Sequence, residues 1–333
     1  MNAPLRFHPF LRPMVWGGRR LGEALGKPLP TPEPYGESWE ISDHPSHRSV
    51  IASGPHTGRT LRDLMEHHRA DLLGPSAASY DVFPWLVKLL DAWDWLSVQV
   101  HPDEEAVKRL WPGEGSKTEA WFVLDAAPGS AIYAGLLPGV GERELRAALA
   151  AGTVAECLHC FEPRPGDCLF LPAGTVHAVG GGVLMAEVQQ TSDATFRLFD
   201  WNRRDAKGQG RKLHVEESMA SIHWQSGPVR PVPAVGYGSA DAAPVRQTLV
   251  QCRYFTLEYV RQREDFWCGS VGRTQAAVVR HGEARLETAD GEQAVRAGDT
   301  LLFPAAMPRV RCVPLAPLGL LLATLPQEDQ DHE

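Results

Sequence analysis

Short runs rich in valine, leucine, phenylalanine and tryptophan recur along the chain, and glycine and proline separate them. The chain holds 31 glycines and 27 prolines, and this punctuation is typical of an all-β protein. The clearest predicted strands are 39–42, 96–100, 120–124, 168–171, 183–189 and 195–199. Many short strands of this kind favour a sandwich or a barrel.

Helical periodicity, with apolar residues recurring every three or four positions, is confined to a few segments. The predicted helices, which would decorate the β core, are 60–73, 104–111 and 142–151. Residues 226–245 lose periodicity and are rich in proline, glycine, serine and alanine, which predicts a linker or a long crossing loop. We therefore expect a first unit over 1–235 and a second over 236–333.

One segment of the first unit is repeated in the second. Residues 166–177 align without gaps on residues 298–309, and each copy reads as a Gly-Asp turn, a five-residue strand and a Pro-Ala turn. The first copy ends in His177, whereas the second ends in Arg309. We expect the units to share one β architecture, with the metal chemistry confined to the first.

The net charge of the chain limits the classes of partner that it is expected to bind. The chain carries 33 Lys+Arg against 41 Asp+Glu, a formal net charge of -8, which argues against nucleic-acid binding driven by bulk charge. No segment approaches the roughly 18 consecutive apolar residues of a membrane span. The 6 cysteines lack a secretory context, so we expect reduced thiols in a cytoplasmic protein with neither a nucleic-acid nor a membrane partner.

Four polar side chains stand where predicted strands begin or end. Gln99 and His101 are two apart, so in a strand their side chains point to the same face. Glu119 opens the next apolar run, where a buried carboxylate needs a partner or a metal. His177 follows a strand and a Pro-x-Gly turn. Two imidazoles, a carboxylate and an amide oxygen are a plausible ligand set for a zinc-like ion with one open position.

Residues 166–177 match the second metal motif of the cupin superfamily, G-x5-P-x-G-x2-H, at every fixed position. This resemblance implies a mainly β fold of two cupin units, each a double-stranded β-helix or jelly roll, with a few decorating helices. Several further segments together resemble the type I phosphomannose isomerases in their short bacterial form. In chain order they are WGG at 16, GESWEIS at 36, FPWLVKLLDA at 83, LSVQVHPDEE at 96, KTEAWFVLD at 117, LPAGTVHAVGGG at 171 and AEVQQTSDATFRLFDWNR at 186.

The family resemblance implies a function as well as a fold. It implies a zinc-dependent aldose–ketose isomerase that interconverts mannose 6-phosphate and fructose 6-phosphate through an enediol. The expected partner is thus a small sugar phosphate, and the chain is expected to be a monomer or a homodimer. One Zn²⁺ per chain is implied, and its ligands would be Gln99, His101, Glu119 and His177.

The same resemblance implies roles for other residues. Arg197 would steady the enediolate, and Glu187 would carry the proton, with Lys117 as a further participant. An ion pair from Arg197 to Asp193 or Asp200 is the structural alternative for that arginine. The residues implied to hold the substrate phosphate are Lys88, Ser97 and Arg203.

Two other functions fit the same sequence features. The chain could be a related cupin isomerase or epimerase that acts on another sugar phosphate, or a sugar-phosphate sensor without catalysis. A sensor would need no proton carrier, so a full metal set together with Glu187 and Arg197 favours an enzyme.

Overall fold

The computed structural model describes residues 1–204, 207–239 and 242–326, and strands dominate this part of the chain. The strands are β1 (Phe10–Gly18), β2 (Tyr35–Ile41), β3 (Asp43–His44), β4 (His47–Arg48), β5 (Trp85–Ala92), β6 (Val98–Val100), β7 (Glu119–Ala126), β8 (Ile132–Leu136), β9 (Leu158–Phe161), β10 (Asp167–Leu171), β11 (His177–Val179), β12 (Val183–Gln190), β13 (Phe196–Phe199), β14 (Val232–Pro233), β15 (Val245–Gln251), β16 (Thr256–Gln262), β17 (Phe266–Cys268), β18 (Gln275–His281), β19 (Glu283–Thr288), β20 (Gly291–Arg296), β21 (Thr300–Phe303), β22 (Val310–Pro314) and β23 (Leu318–Thr324). The helices are α1 (Arg20–Glu23), α2 (Leu61–His67), α3 (Arg69–Leu73), α4 (Glu104–Leu110), α5 (Glu142–Ala151) and α6 (Val215–Ser221). The 3₁₀ turns are Gly74–Ser79 and Val154–Cys157. The prediction of a mainly β fold with a few helices is confirmed.

The larger sheets stack as two antiparallel sandwiches. In the first, a seven-stranded sheet in the order β1-β2-β5-β12-β7-β10-β14 faces a five-stranded sheet in the order β13-β6-β11-β8-β9. In the second, the five strands β15-β16-β23-β18-β21 face the four strands β17-β22-β19-β20. The two sandwiches therefore repeat one strand order, with β5-β12-β7-β10 corresponding to β16-β23-β18-β21.

Apolar side chains fill the space between the sheets and also the space between the sandwiches. Trp121 and Met185 pack inside the first sandwich. On the opposite face of the same sheet, Phe122 packs with Tyr259 and Leu321 of the second sandwich in one continuous core. The seven-stranded sheet is therefore covered on both faces, which explains why every residue of β5 is buried instead of every second one.

Local sequence determines how the repeated segment turns. Gly166 and Gly174 adopt φ of 94° and 84°, which residues with a β-carbon rarely adopt. A β-carbon at Gly174 would also lie 2.4 Å from the His223 ring. The turn at Gly166 leads into β10, and the turn at Gly174 leads from β10 into β11, so that His177 opens the latter strand.

Most predicted elements lie within a few residues of their expected bounds, and one differs in kind. The predicted helix over 60–73 is two helices, because the backbone at His68 leaves the helical region with φ of -137° and ψ of 26°. Thr60 and Asp63 cap the first of them with reciprocal hydrogen bonds. Residues 226–245 are largely irregular, as expected, apart from the short strand β14. Within the described ranges, no helix has both the length and the apolar character that crossing a bilayer requires.

Candidate metal centre and substrate pocket

Three buried side chains converge inside the first sandwich. His101 follows β6, Glu119 begins β7 and His177 begins β11, and their potential ligand atoms all lie within 4.8 Å of one another. The Nε2 atoms of His101 and His177 lie 3.4 Å and 3.3 Å from the two carboxylate oxygens of Glu119. We call these three residues the buried triad.

Backbone carbonyls orient both imidazoles of the buried triad. The Nδ1 atom of His101 donates a hydrogen bond to the Ala194 carbonyl at 2.8 Å, and Nδ1 of His177 donates to the Thr175 carbonyl at 2.9 Å. Each Nε2 therefore lacks a proton and faces the centre of the triad. A hydrogen bond of this kind on the remote ring nitrogen is the usual support of a metal-binding histidine.

The protonation states suit a divalent cation. Burial lowers the pKa of His177 to about 3 and also lowers that of His101, so both rings are neutral. Burial alone would raise the pKa of Glu119, but the Lys117 ammonium holds it well below its usual range. Both Glu119 oxygens are buried, and neither accepts a hydrogen bond from the described residues. A cation would satisfy these oxygens, so the donor set fits a metal.

Gln99 and Lys117 complete the surroundings of the triad. Gln99 lies opposite His177 in the register of β6 and β11, and its amide nitrogen donates to Nε2 of His177 at 3.1 Å. The Lys117 ammonium lies 3.1 Å from Nε2 of His101 and 3.0 Å from a Glu119 oxygen. Lys117 thus supplies the positive charge that partly compensates the Glu119 carboxylate.

A second carboxylate–ammonium pair lies beside the pair formed by Glu119 and Lys117. Glu187 of β12 is the cross-strand partner of Lys88 in β5, and the Lys88 ammonium lies 3.5 Å from a carboxylate oxygen of Glu187. The Lys117 ammonium lies 3.8 Å from the same oxygen. Burial raises the pKa of Glu187, although both ammonium groups oppose that rise.

These side chains form part of a pocket of about 230 Å³. Gln99, Lys117 and Trp121 line it and also contact the buried triad, so the triad lies beneath the pocket floor. The other residues assigned to the site from the sequence that line the pocket are Lys88, Ser97, Glu187 and Arg197.

Comparison with known proteins identifies the family. The model of the type I phosphomannose isomerase catalytic domain matches residues 5–120. The mannose-6-phosphate isomerase of Streptococcus mutans is 38% identical over 309 residues, which cover 91% of this chain and 93% of the relative. The chain belongs to the type I phosphomannose isomerase family. It is therefore an enzyme of the mannose-6-phosphate isomerase class.

Other relatives agree with this assignment. The mannose-6-phosphate isomerase ManA of Bacillus subtilis is 35% identical over 311 residues, covering 91% of this chain and 93% of the relative. The crystal structure of the mannose 6-phosphate isomerase from Bacillus subtilis superposes with a TM-score of 0.83 at 29% identity, covering 96% of this chain and 99% of that one. A variant of phosphomannose isomerase from Salmonella typhimurium shares the fold, with a TM-score of 0.72 at 19% identity and 97% and 99% coverage.

We call the pocket of about 230 Å³ the isomerase pocket, and Arg197 enters it from β13. Its Nη1 donates to the Lys212 carbonyl at 3.0 Å, whereas its buried Nε has no hydrogen-bond partner in the described part of the chain. Asp193 lies 3.6 Å from Arg12, and Asp200 is held by Arg211. Arg197 therefore forms no ion pair with Asp193 or Asp200, which was the structural alternative for this residue.

Arg203 lies outside the lining of the isomerase pocket. It lines a neighbouring depression together with Asp200 and Arg211, and its guanidinium donates to the Trp95 carbonyl. Arg211 lines both the depression and the pocket. Sequence reasoning missed Arg211, because it lies in an irregular segment after β13 where no periodicity indicates the direction of a side chain.

Arg12 and Glu37 were also missed. Both line the pocket, and Arg12 donates to a Glu37 oxygen at 3.0 Å. These residues pair across β1 and β2. Glu37 belongs to the segment GESWEIS, which carried the family resemblance, and a polar residue within the buried strand β2 was the available signal for it. Arg12 precedes the WGG segment and belongs to none of the segments that carried the resemblance.

Proposed function

We propose that this chain interconverts mannose 6-phosphate and fructose 6-phosphate through an enediol and that it depends on one zinc ion. Gln99, His101, Glu119 and His177 would hold the ion. The observation that supports this proposal is the buried triad. Its carboxylate oxygens accept no hydrogen bond from the described residues, although Lys117 forms an ion pair with one of them, and they lie beneath a pocket lined by cationic groups. A bound zinc ion would act as a Lewis acid that polarises the carbonyl and hydroxyl oxygens of the sugar.

The reaction moves a proton between C2 and C1 of the sugar, and we assign this proton to the Glu187 carboxylate. A proton carrier works best when its pKa is near the operating pH, and burial raises the pKa of Glu187 in that direction. The Lys88 and Lys117 ammonium groups flank the carboxylate. Lys117 contacts both Glu119 and Glu187 and is the second candidate for the proton transfer.

Arg197 is assigned to the negative charge of the enediolate. Its buried Nε–H has no partner within the described residues, so the group is free to donate to a developing oxyanion. A fixed donor of this kind stabilises a transition state because it requires no reorganisation when the charge forms.

The substrate phosphate is assigned to Lys88, Ser97 and Arg203. Lys88 and Ser97 line the pocket. Arg203 does not line the pocket, so it would contribute mainly by raising the local positive charge, whereas Arg211 lines both the pocket and the neighbouring depression.

A coupled assay of mannose 6-phosphate turnover, combined with elemental analysis for zinc, tests the proposal. The wild-type protein should contain about one zinc per chain, as expected for a site with one set of ligands, and should turn over mannose 6-phosphate. His177→Ala should lose metal and activity together. His223→Ala, which changes a partly exposed histidine paired with Asp103, is the control and should retain both.

Each outcome separates the proposal from its alternatives. Full activity of a metal-free protein would refute the metal mechanism. Turnover of a different sugar phosphate, but not of mannose 6-phosphate, would indicate a related isomerase or epimerase. Binding of sugar phosphates without turnover would indicate a sensor.

A further inference from the structure

The second sandwich contains a cavity at the position that corresponds to the isomerase pocket. In the ungapped repeat, Leu171 aligns with Phe303 and His177 aligns with Arg309. Leu171 pairs with Glu119, and Phe303 pairs with Gln275. Gln275 therefore occupies the position that Glu119 occupies in the first sandwich.

The remaining metal-ligand positions can be followed in the same way. Gln99 pairs with His177, and the register that joins Cys268 to Val310 places Gly269 beside Arg309. Gly269 therefore corresponds to Gln99, and Val271, two residues later, corresponds to His101. Glycine, valine, glutamine and arginine at these four positions provide neither an imidazole nor a carboxylate, so this site is unsuited to zinc.

The cavity at this position has a volume of about 470 Å³ and an excess of positive charge. Gly269, Val271, Gln275 and Arg309 all line it, so the correspondence of positions is also a correspondence of pockets. Arg273, which corresponds to Lys117, lines it as well. This site has no metal ligands at the corresponding positions, but it has a cation next to the position that Glu119 occupies in the first sandwich.

The cations of the cavity are not all neutralised by neighbours. Arg246 forms a double hydrogen bond with Glu258 at 2.8 Å and 2.7 Å. Arg273 and Arg309 also line the cavity, and no carboxylate among the described residues forms an ion pair with either. Two guanidinium groups are thus available to an anion, and their planar donor pairs match the oxygens of a phosphate.

Apolar and neutral polar groups complete the cavity. Trp267 lies at the cavity with 58% of its surface exposed, and Val271 is 74% exposed. The buried Gln275 amide donates to the Thr324 hydroxyl at 2.9 Å within the same lining. A flat indole face next to guanidinium groups is suited to an organic phosphate that has an apolar ring face.

We propose that this cavity is a second, metal-independent binding site for a phosphorylated sugar, held by Arg273 and Arg309 and packed against Trp267. The site is distinct from the isomerase pocket and lies in the other sandwich. It retains the pocket of the repeated fold but exchanges metal coordination for guanidinium recognition of phosphate.

Calorimetric titration of the metal-loaded full-length enzyme with glucitol 6-phosphate tests this proposal, because this phosphate ester has no carbonyl group and cannot be isomerised. The wild-type enzyme should bind two equivalents per chain. The double variant Arg273→Gln/Arg309→Gln should bind one equivalent fewer, or should bind the second with a Kd raised roughly tenfold or more, since two charged hydrogen-bonding groups are lost. Its kcat for mannose 6-phosphate should remain that of the wild type.

Arg311→Gln is the matched control. Arg311 lies two residues after Arg309, on the strand that begins at Val310. It pairs with Asp265 and Glu287 and does not line the cavity. The variant should retain both equivalents. The proposal is overturned if the wild type binds only one equivalent, if the double variant still binds two, or if Arg311→Gln loses the second equivalent as well. Because turnover is measured separately, a failure here leaves the assignment of the isomerase pocket unaffected.

Discussion

At the residue scale, the isomerase pocket is a set of buried opposite charges at short range. The carboxylates of Glu119 and Glu187 each have an ammonium group within 4 Å, from Lys117 or Lys88. Removal of one member of such a set leaves a buried charge without its partner, which is costly to stability. Stability must therefore be measured alongside activity whenever one of these residues is changed.

Glu187→Gln should lower kcat by roughly 10²-fold or more, because an amide of the same size cannot carry the proton. Zinc content and substrate binding should persist, since Glu187 is not a proposed metal ligand. Glu40→Gln is the control: Glu40 is also buried and lies 2.6 Å from a lysine ammonium, that of Lys27, but it does not line the pocket. Rapid-mix or steady-state turnover of both variants is the measurement. A near-normal kcat for Glu187→Gln would transfer the proton role to Lys117.

Arg197→Lys should lower kcat on the order of 10² to 10³-fold, the usual cost of losing one preorganised donor to a developing oxyanion. A flexible ammonium does not reproduce the planar fork of a guanidinium. Its thermal stability should stay close to that of the wild type, because the described residues offer Arg197 no ion pair to break. Unfolding of the variant with per-molecule activity intact would instead assign Arg197 a structural role.

At the element scale, strand register decides which functional groups meet. Glu187 lies opposite Lys88 on one side and Trp121 on the other, while His177 lies opposite Gln99. A slip of one residue in any of these pairings would turn the side chains of that strand to the other face. The pairing of fully buried strands therefore matters as much to the site as the identity of its residues.

The end of β18 provides a pH-sensitive contact in the second sandwich. His281 lies opposite Gly319, where a β-carbon would approach the imidazole to 2.2 Å. Burial lowers the pKa of His281 to about 4, below the ordinary value near 6.5 that applies to the unfolded chain. The folded state thus disfavours the protonated ring, so this residue's contribution to stability is complete above about pH 6.5 and is lost as the pH falls toward 4.

His281→Gln should therefore make stability less sensitive to acid. The loss in the free energy of unfolding between pH 7.5 and pH 4.5 should be smaller than in the wild type by about 2 kcal/mol, a value reduced for the partial exposure of the ring. Urea unfolding at the two pH values measures it. His67→Gln, which changes an exposed histidine, is the control. The assignment would be contradicted if the free energy of unfolding depended on pH equally in the wild type and in His281→Gln.

At the scale of the whole molecule, the two sandwiches share a core. Leu321 of β23 packs in the cluster that also contains Phe122 and Leu89 of the first sandwich, whereas its neighbour Leu322 packs inside the second. Separation of the two halves would expose the apolar faces of two sheets. We therefore expect the molecule to unfold as one cooperative unit.

Leu321→Ala should lower stability by about 2 to 5 kcal/mol, the usual range for a buried leucine. Scanning calorimetry should show one transition, shifted as a whole. Leu315→Ala changes a leucine that is 64% exposed and should shift it little. Two separate transitions, of which only one responds to Leu321→Ala, would show that the sandwiches unfold independently. The boundary predicted between 1–235 and 236–333 would then also mark two folding units.

The sequence by itself determined those features that depend on local pattern. Glycine and proline punctuation indicated the mainly β fold, and the helix over Glu142–Ala151 has the predicted bounds. Alternate residues of an extended segment point to one face, and Asp193, Thr195 and Arg197 all line the pocket. The turn motif indicated His177, strand alternation paired His101 with Gln99, and Glu119 was indicated as a carboxylate that opens an apolar run. The fold brings the three residues together. The sequence could indicate them because alternation and turn geometry are properties of a few consecutive residues.

Only the tertiary structure decided how distant segments meet. The pairing of Glu187 with Lys88 joins residues that are 99 positions apart, and it follows from strand order, which local pattern does not specify. Arg211 instead of Arg203 lines the pocket because the segment after β13 is irregular. The arginine-lined cavity of the second sandwich likewise depends on tertiary structure, because strand register determines which residues stand at the positions of the metal ligands. Long-range antiparallel pairing is selected by the burial of whole sheets, which is a property of the complete chain.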